Sequence, residues 1–442
     1  MRPPRRPEEA TLSDGSPPPD RLRVVLLSYR SKPHSGGQGV YVRHLSRELA
    51  ALGHDVEVVS GPPYPELDGP AHAGPRLTRL PSLDLYREPD PFRVPGLREF
   101  RGPVDVAEWV ATSAGAFPEP LTFSLRALAH LRARVRAGQR YDVVHDNQGL
   151  GYGLLGVGRL GLPLVATVHH PVTVDRDLEL AAAPTRWRRA RIRQWYGFVR
   201  MQRRVLPHAE RVVTVSRSSA RDLARDFPLD PARVRVVPVG VDAARFAPPR
   251  GPRVPRRLVA VASADVPLKG VLGLLEAVAK LATETDVELV VVGTLRPDGP
   301  AARAVARLGL EGVVRVVSGL DEAALVSLLG SAEVAVVPSL YEGFSLPAVE
   351  AMACATPLVV TTAGALPEVV GADGECALLV PPGDPEALTA ALRRLLADPG
   401  LRARLGGRGR ERVLARFTWR AAAERTVDVY REVVRAPRGA PC

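Results

Sequence analysis

Two glutamates eight positions apart, Glu342 and Glu350, lie in the stretch Ser339-Leu340-Tyr341-Glu342-Gly343-Phe344-Ser345-Leu346-Pro347-Ala348-Val349-Glu350. A carboxylate is a pure hydrogen-bond acceptor and can take two hydroxyls of a hexose or a ribose. Between the two, Ser345 and Pro347 carry helix-start chemistry, a capping hydroxyl and a proline in the first turn. The apolar run from Val334 to Val337 reads as a buried parallel strand. The order is then strand, glycine-containing loop, helix, with Glu342 on the loop and Glu350 about a turn into the helix. Both fall at the carboxyl end of a strand, where open α/β sheets bind ligands. Free N–H groups at such a helix start stabilise a diphosphate by about 0.3–1 kcal/mol per charge from the dipole alone. The pattern suits a sugar on one side of a diphosphate and a ribose on the other.

Other residues have matching chemistry. His169 follows the apolar run Leu164–Val168 and is itself followed by His170. Lys269, in Ser263-Ala264-Asp265-Val266-Pro267-Leu268-Lys269-Gly270, stands between an expected strand and an expected helix. An ammonium there can neutralise a leaving diphosphate. At an effective dielectric of about 20, such a pair about 4 Å apart is worth roughly 4 kcal/mol before desolvation. The cluster Ser35-Gly36-Gly37-Gln38-Gly39 follows the first expected strand and lets the backbone approach a phosphate or an acceptor. No Gly-x-Gly-x-x-Gly follows, so dinucleotide chemistry loses support.

The segment around Glu342 and Glu350 resembles the donor-site signature of the retaining family-4 glycosyltransferases, glycosyl transferases group 1. The resemblance covers roughly residues 21–435, is strongest from Ser263 to Pro385 and weakest between 61 and 140. It implies a GT-B architecture: two Rossmann-like parallel-sheet domains facing across a cleft, with a C-terminal helix crossing back to the first. It implies that Glu342 and His169 contact the donor sugar, Glu350 the ribose, and the amides of Gly343, Phe344, Ser345 and Leu346 the sugar and diphosphate. Gly36 and Gly37 would stand at the cleft mouth and Lys269 beside the leaving group. Gly364 matches a glycine turn near the donor, or is a simple βα turn. One departure stands out: the family's arginine five residues before the lysine is Ala264 here.

The implied reaction is transfer of a hexosyl group, with retained configuration, from a nucleotide sugar to an acceptor hydroxyl. UDP comes before GDP, the base being read around Val316–Gly319. The acceptor is unidentified, with a lipid or cell-envelope glycan precursor as one candidate. The competing reading is a GT-B sugar-nucleotide epimerase or phosphorylase. No metal or cofactor is required, and Asp175-Arg176-Asp177 is read as a chance D-x-D.

The elements that must position these residues are legible. Short β-branched runs alternate with longer Ala- and Leu-rich periodic stretches, as in βαβ units. Candidate strands begin at Arg23, Asp55, Asp142, Leu164 and Arg211, and in a second set at Arg257, Val287, Val313, Glu333, Pro357 and Ala377. The chain divides into a disordered tail 1–20, an acceptor-side domain 21–240, a Pro- and Gly-rich linker 241–256, a nucleotide-sugar domain 257–416 and a C-terminal helix and tail 417–442. A proline-rich stretch from about 62 to 102 reads as a long acceptor-side loop.

The 442 residues suffice for two or three full cores. The net charge of +12 favours acidic partners such as nucleotide phosphates, but without a recognition helix or aromatic platform no specific nucleic acid is expected. Cys354, Cys376 and Cys442 show no paired spacing, which argues against a disulfide framework or zinc site and makes the cytoplasm the default location. Residues 186–204 hold eight arginines and no acid, with Ile192, Trp195, Tyr196 and Val199 at helical spacing. That segment is either a helix packed on its own domain with a solvated basic face or a peripheral contact with an anionic membrane surface.

Overall fold

The computed structural model describes residues 21–32, 37–69, 74–87 and 90–435; the tail 1–20, Gly36 and Cys442 fall outside them. In the first half, β1 (Arg23–Ser28), β2 (Asp55–Ser60), β3 (Arg76–Arg79), β4 (Val143–Asn147), β5 (Leu164–Val168), β6 (Arg211–Thr214) and β7 (Val234–Val236) form one sheet, ordered β3-β2-β1-β4-β5-β6-β7. In the second, β8 (Arg257–Val261), β9 (Glu288–Val292), β10 (Val314–Val317), β11 (Val334–Val337), β12 (Leu358–Thr361) and β13 (Leu378–Val380) are ordered β10-β9-β8-β11-β12-β13. Pairing is parallel throughout, as where Val24 registers with Val56 on one side and Val143 on the other. Strand order reverses beside β1 and beside β8, so each sheet opens a crevice at the carboxyl ends of its central strands.

β4, β5, β11 and β12 are buried along their whole length, because helices cover both faces. That burial is why β5, β11 and β12 read as mostly apolar runs, whereas β4 has only Val143 and Val144 of such a run and buries His145, Asp146 and Asn147. β3 and β7 lack such a run and are not anticipated by it. Both are half-exposed edge strands, where nothing requires one.

The two halves are joined twice. Val241 N–H donates to the Phe417 carbonyl at 2.8 Å, and Val241 pairs with Thr418, so the outgoing and returning chain run side by side. The helix Trp419–Arg435 then lies against the first domain. Trp419 stacks on His44 with ring centroids 5.0 Å apart, Tyr430 Oη meets His145 Nδ1 at 2.6 Å, and Glu432 pairs with Arg211 and Arg235. Tyr430 is fully buried there. These contacts anchor the helix to the first sheet with both apolar area and charge.

Candidate active site

β11 runs out at Val337 into a loop that turns into the helix Leu346–Ala353. Ser345 stands at the cap position and Pro347 in the first turn, but the expected hydroxyl cap is not made. Ser345 has φ 83°, and its buried Oγ has no hydrogen-bond partner. The backbone here turns left-handed, which swings the hydroxyl away from the helix amides. No acidic residue occupies that first turn.

Glu342 is buried on this loop. Its Oε1 accepts from Lys269 Nζ at 2.8 Å and from Ser339 Oγ at 2.8 Å. Lys269 closes the short turn Pro267–Lys269 after β8, just ahead of the helix Val271–Ala282. The Glu342 backbone is held as well: its carbonyl accepts from Ala365 N–H at 2.9 Å. Gly364 (φ 57°) lies so close that a β-carbon there would overlap the Glu342 carbonyl oxygen. Gly364 is thus more than a simple turn: its bare backbone seats the loop that carries Glu342.

Across the cleft, His169 follows β5 and is pinned by residues with no conspicuous sequence pattern. Its ring Nε2 meets Asn147 Oδ1 at 2.6 Å, and its backbone N–H donates to Gln148 Oε1 at 2.9 Å. Gln148 Nε2 donates to the His170 carbonyl at 2.9 Å, so one amide side chain holds both ends of the turn. The His169 ring meets the Tyr41 ring edge-on, centroids 4.5 Å apart. Burial, with His170 beside it, lowers the His169 pKa to about 4. The ring is therefore neutral near pH 7. With the Asn147 amide oxygen toward it, Nε2 carries the proton and Nδ1 is an acceptor. His170 turns elsewhere, its Nε2 2.7 Å from Asp175 Oδ2.

A cavity of about 500 Å³ brings these groups together: Gly37, His169, Lys269, Glu342, Gly343, Phe344, Ser345 and Leu346 all line it. That volume suits a small ligand. Two helix starts meet there, Gly37 at the head of the helix Gly37–Ala51 and Ser345 at the head of Leu346–Ala353, and neither has an acid in its first turn. Both dipoles favour an anion. Glu350 lines an adjoining cavity of about 520 Å³ that shares Leu346 with the first and is walled by Arg43, Arg245, Leu320, Asp321 and Glu322. Desolvation, with Glu322 nearby, raises the Glu350 pKa to about 7. Leu320 to Glu322, rather than Val316 to Gly319, reach this cavity. Ala264 faces a third, mostly apolar space behind the Lys269 turn. Lys269 is the one Lys or Arg among the described residues lining the first cavity, and Arg43 and Arg245 stand in the next.

Asp175 and Asp177 lie on the helix Val172–Ala182, where Asp175 holds His170 and Asp177 pairs with Arg176. Among the described residues no cluster of three or more His, Cys, Asp or Glu could hold a metal ion. Cys354 and Cys376 are buried free thiols. The basic segment forms the helices Arg186–Trp195 and Phe198–Val205. Ile192, Tyr196 and Val199 are buried in a small cluster of their own, while Arg186, Arg188, Arg189, Arg191 and Arg193 face solvent with Trp187. No helix among the described residues is long and apolar enough to cross a membrane.

Residues 35–245 match Glycosyltransferase Family 4 and residues 245–412 match Glycosyl transferases group 1. The chain is 57% identical over 415 residues to the MMP alpha-(1->4)-mannosyltransferase of Mycolicibacterium hassiacum, covering 93% of this chain and 98% of that one. It is 34% identical to the D-inositol 3-phosphate glycosyltransferase of Kineococcus radiotolerans, covering 95% and 98%. Among solved structures it is similar to the sucrose-phosphate synthase of Thermosynechococcus elongatus, with a TM-score of 0.67 and 25% identity over 93% of this chain and 98% of that one. Two Rossmann-like sheets, a shared cleft and these relatives lead to one conclusion: the chain is a GT-B glycosyltransferase and belongs to family 4, the glycosyl transferases group 1.

Proposed function

We propose that the protein transfers a mannosyl group from a nucleotide sugar to a saccharide hydroxyl, forming an α-(1→4) linkage with retained configuration. The observation that carries the reading is the convergence of Lys269, Glu342 and His169 on one cavity beside an uncapped helix start. The choice of mannose and of the linkage rests on the 57% identical relative. Glu342 Oε1 already takes two bonds, so Oε2 remains to accept a sugar hydroxyl. Neutral His169 offers Nδ1 as a second acceptor. Lys269 and the first-turn amides after Ser345 stabilise the departing diphosphate, where charge builds up in the transition state. In the step itself the C1–O bond to the diphosphate breaks. The acceptor oxygen bonds to C1 on the same face, and its proton passes to the leaving phosphate oxygen. Among the described residues the carboxylates lining this cavity, Asp175 and Glu342, are paired with His170 and Lys269, so neither is set up as a covalent nucleophile, unlike the paired acids of retaining glycosidases.

The test is a donor panel of UDP-glucose, UDP-galactose, UDP-N-acetylglucosamine and GDP-mannose, each with and without a mannoside acceptor and with excess chelator. Acceptor-dependent release of nucleoside diphosphate from the mannosyl donor, with an α product by NMR, is expected, at full rate in chelator. Acceptor-independent turnover would favour the epimerase reading. An inverted product would sink the mechanism.

Glu350 gives a pH prediction. Its raised pKa means the carboxyl takes up a proton as pH falls through about 7, and the neutral form is the poorer acceptor for ribose hydroxyls. Nucleotide affinity should therefore rise between pH 6 and 8, by about tenfold at most. The Glu350→Gln variant, which cannot titrate, should show a flatter profile by calorimetry than the wild type.

The exposed arginines of 186–193 are further proposed to contact an anionic membrane surface, each contributing about 1 kcal/mol at low salt. Anionic vesicles should bind the protein at low ionic strength and release it in high salt, while neutral vesicles should not bind. Failure to bind either would leave the segment a packing helix with a solvated face.

A further inference from the structure

The donor loop is held from the opposite domain by one helix, Arg217–Asp226. Ser216, at its cap, accepts from Ser219 N–H at 2.9 Å and donates its own hydroxyl to the Gly343 carbonyl at 2.7 Å. Ser219 Oγ donates to the same carbonyl at 3.2 Å. One turn further, Asp222 Oδ2 accepts from Tyr341 Oη at 2.6 Å. Positions 216, 219 and 222 share one helix face. The amides of the helix start are engaged from the second domain too: Arg217 N–H and Ser218 N–H donate to the two carboxylate oxygens of Glu368, at 2.9 and 2.7 Å. Gly343 is also close-packed, a β-carbon there meeting the His169 carbonyl oxygen at 3.2 Å and Ser219 Oγ at 3.3 Å. Glu342 thus sits between two residues, Tyr341 and Gly343, that are both bonded across the cleft, while its own carbonyl is held within its domain by Ala365.

We infer that Ser216, Ser219, Asp222 and Glu368 are positioning residues for the transfer: they set the Glu342 loop against the acceptor-side domain, so that the sugar-binding carboxylate is in register only when the two domains are docked. At the nucleotide end of the site Lys269 and Glu350 belong to the second domain, and Arg43, which walls the Glu350 cavity from the first domain, is already bonded to Asp68. The inference rests on the glycosyltransferase reading of the same cavity. Its consequence is a split between binding and turnover. A loop displaced by about 1 Å loses on the order of 100-fold in rate, while a ligand held elsewhere keeps its affinity.

The experiment compares the wild type with Ser216→Ala/Ser219→Ala, Glu368→Gln and Ser216→Thr, measuring Kd for free nucleoside diphosphate, kcat and KM for transfer, and the radius of gyration by solution scattering. The double variant should lose about 100-fold in kcat and Glu368→Gln about tenfold, both with nucleotide Kd within about threefold of wild type and with a larger radius. Ser216→Thr keeps the hydroxyl and should keep kcat within about threefold. If the double variant does not fold, Glu368→Gln decides, because it leaves both serine hydroxyls in place. Unchanged kcat in Glu368→Gln, or loss of nucleotide affinity in parallel with kcat, overturns the inference. A wild type that transfers from no donor overturns the glycosyltransferase reading instead, so the two failures are distinct.

Discussion

Replacing Lys269 by methionine is expected to lower kcat/KM by about 10³-fold, equivalent to about 4 kcal/mol of transition-state stabilisation. Two effects add. The departing diphosphate loses the one Lys or Arg that lines the first cavity among the described residues, and no arginine stands at Ala264 to share the charge. Glu342 loses its ion pair while buried, keeping only the Ser339 hydroxyl on the same oxygen. An unpaired buried carboxylate costs about 1–3 kcal/mol, so the melting temperature should also fall by several degrees. Lys269→Arg is not equivalent, because the guanidinium is a planar fork and the site is built around a point charge. It should recover only part of the rate. Steady-state kinetics with donor and acceptor varied separately check this. Activity of Lys269→Met within tenfold of wild type would remove Lys269 from the leaving-group role.

The second large effect is expected from Gly364→Ala, a one-carbon change remote in sequence from both glutamates. The residue lies at φ 57°, where alanine is strained, and the new β-carbon would overlap the Glu342 carbonyl oxygen. The strain alone costs about 1 kcal/mol. Relief requires the Glu342 backbone to move, which also breaks the bond from Ala365 N–H. Transfer should fall about 100-fold. Nucleoside diphosphate binding, which the proposal assigns to Lys269, Glu350 and the helix start, should change far less. Calorimetry beside kinetics separates the two. Equal losses in binding and rate would mean that the substitution unfolds the second domain rather than displacing one loop.

The histidines add a condition on pH. Burial lowers His145 to about 3 and His169 to about 4. Both are therefore neutral in the folded state, and their contribution to stability is present above the usual histidine pKa and lost as pH falls from about 6.5 toward 4. Asp146, raised to about 7 by burial, works in the opposite sense, favouring the folded state as pH falls through the same range. As pH falls from about 6.5 toward 4, the Asp146 gain therefore offsets part of the loss from these two histidines.

What could be read from the chain alone was whatever leaves a local trace. A central parallel strand tends to be apolar on both faces, so β5, β11 and β12 announce themselves; the edge strands β3 and β7, half in water, do not. The chemical types of Glu342, Glu350, Lys269 and His169, and their places after strands, were also visible. The chain could not show which partner each would take. Lys269 and Glu342 are 73 residues apart, and Ser216 and Gly343 are 127 apart. No periodicity links positions so distant: the first pair exists because β8 and β11 lie side by side in one sheet, the second because two sheets set their carboxyl ends toward one another.

The same physics explains the misreadings. Ser345 has the residue type of a helix cap, yet a left-handed backbone takes its hydroxyl off the helix. Asn147 and Gln148, which pin His169, form no motif that singles them out in the sequence. Gly364 could be read as any βα turn until its neighbour proved to be the Glu342 carbonyl. Residue type and spacing, then, determined the elements and the chemistry on offer. Tertiary structure alone decided which groups meet, because a hydrogen bond depends on distance and angle to a partner that the local chain does not encode.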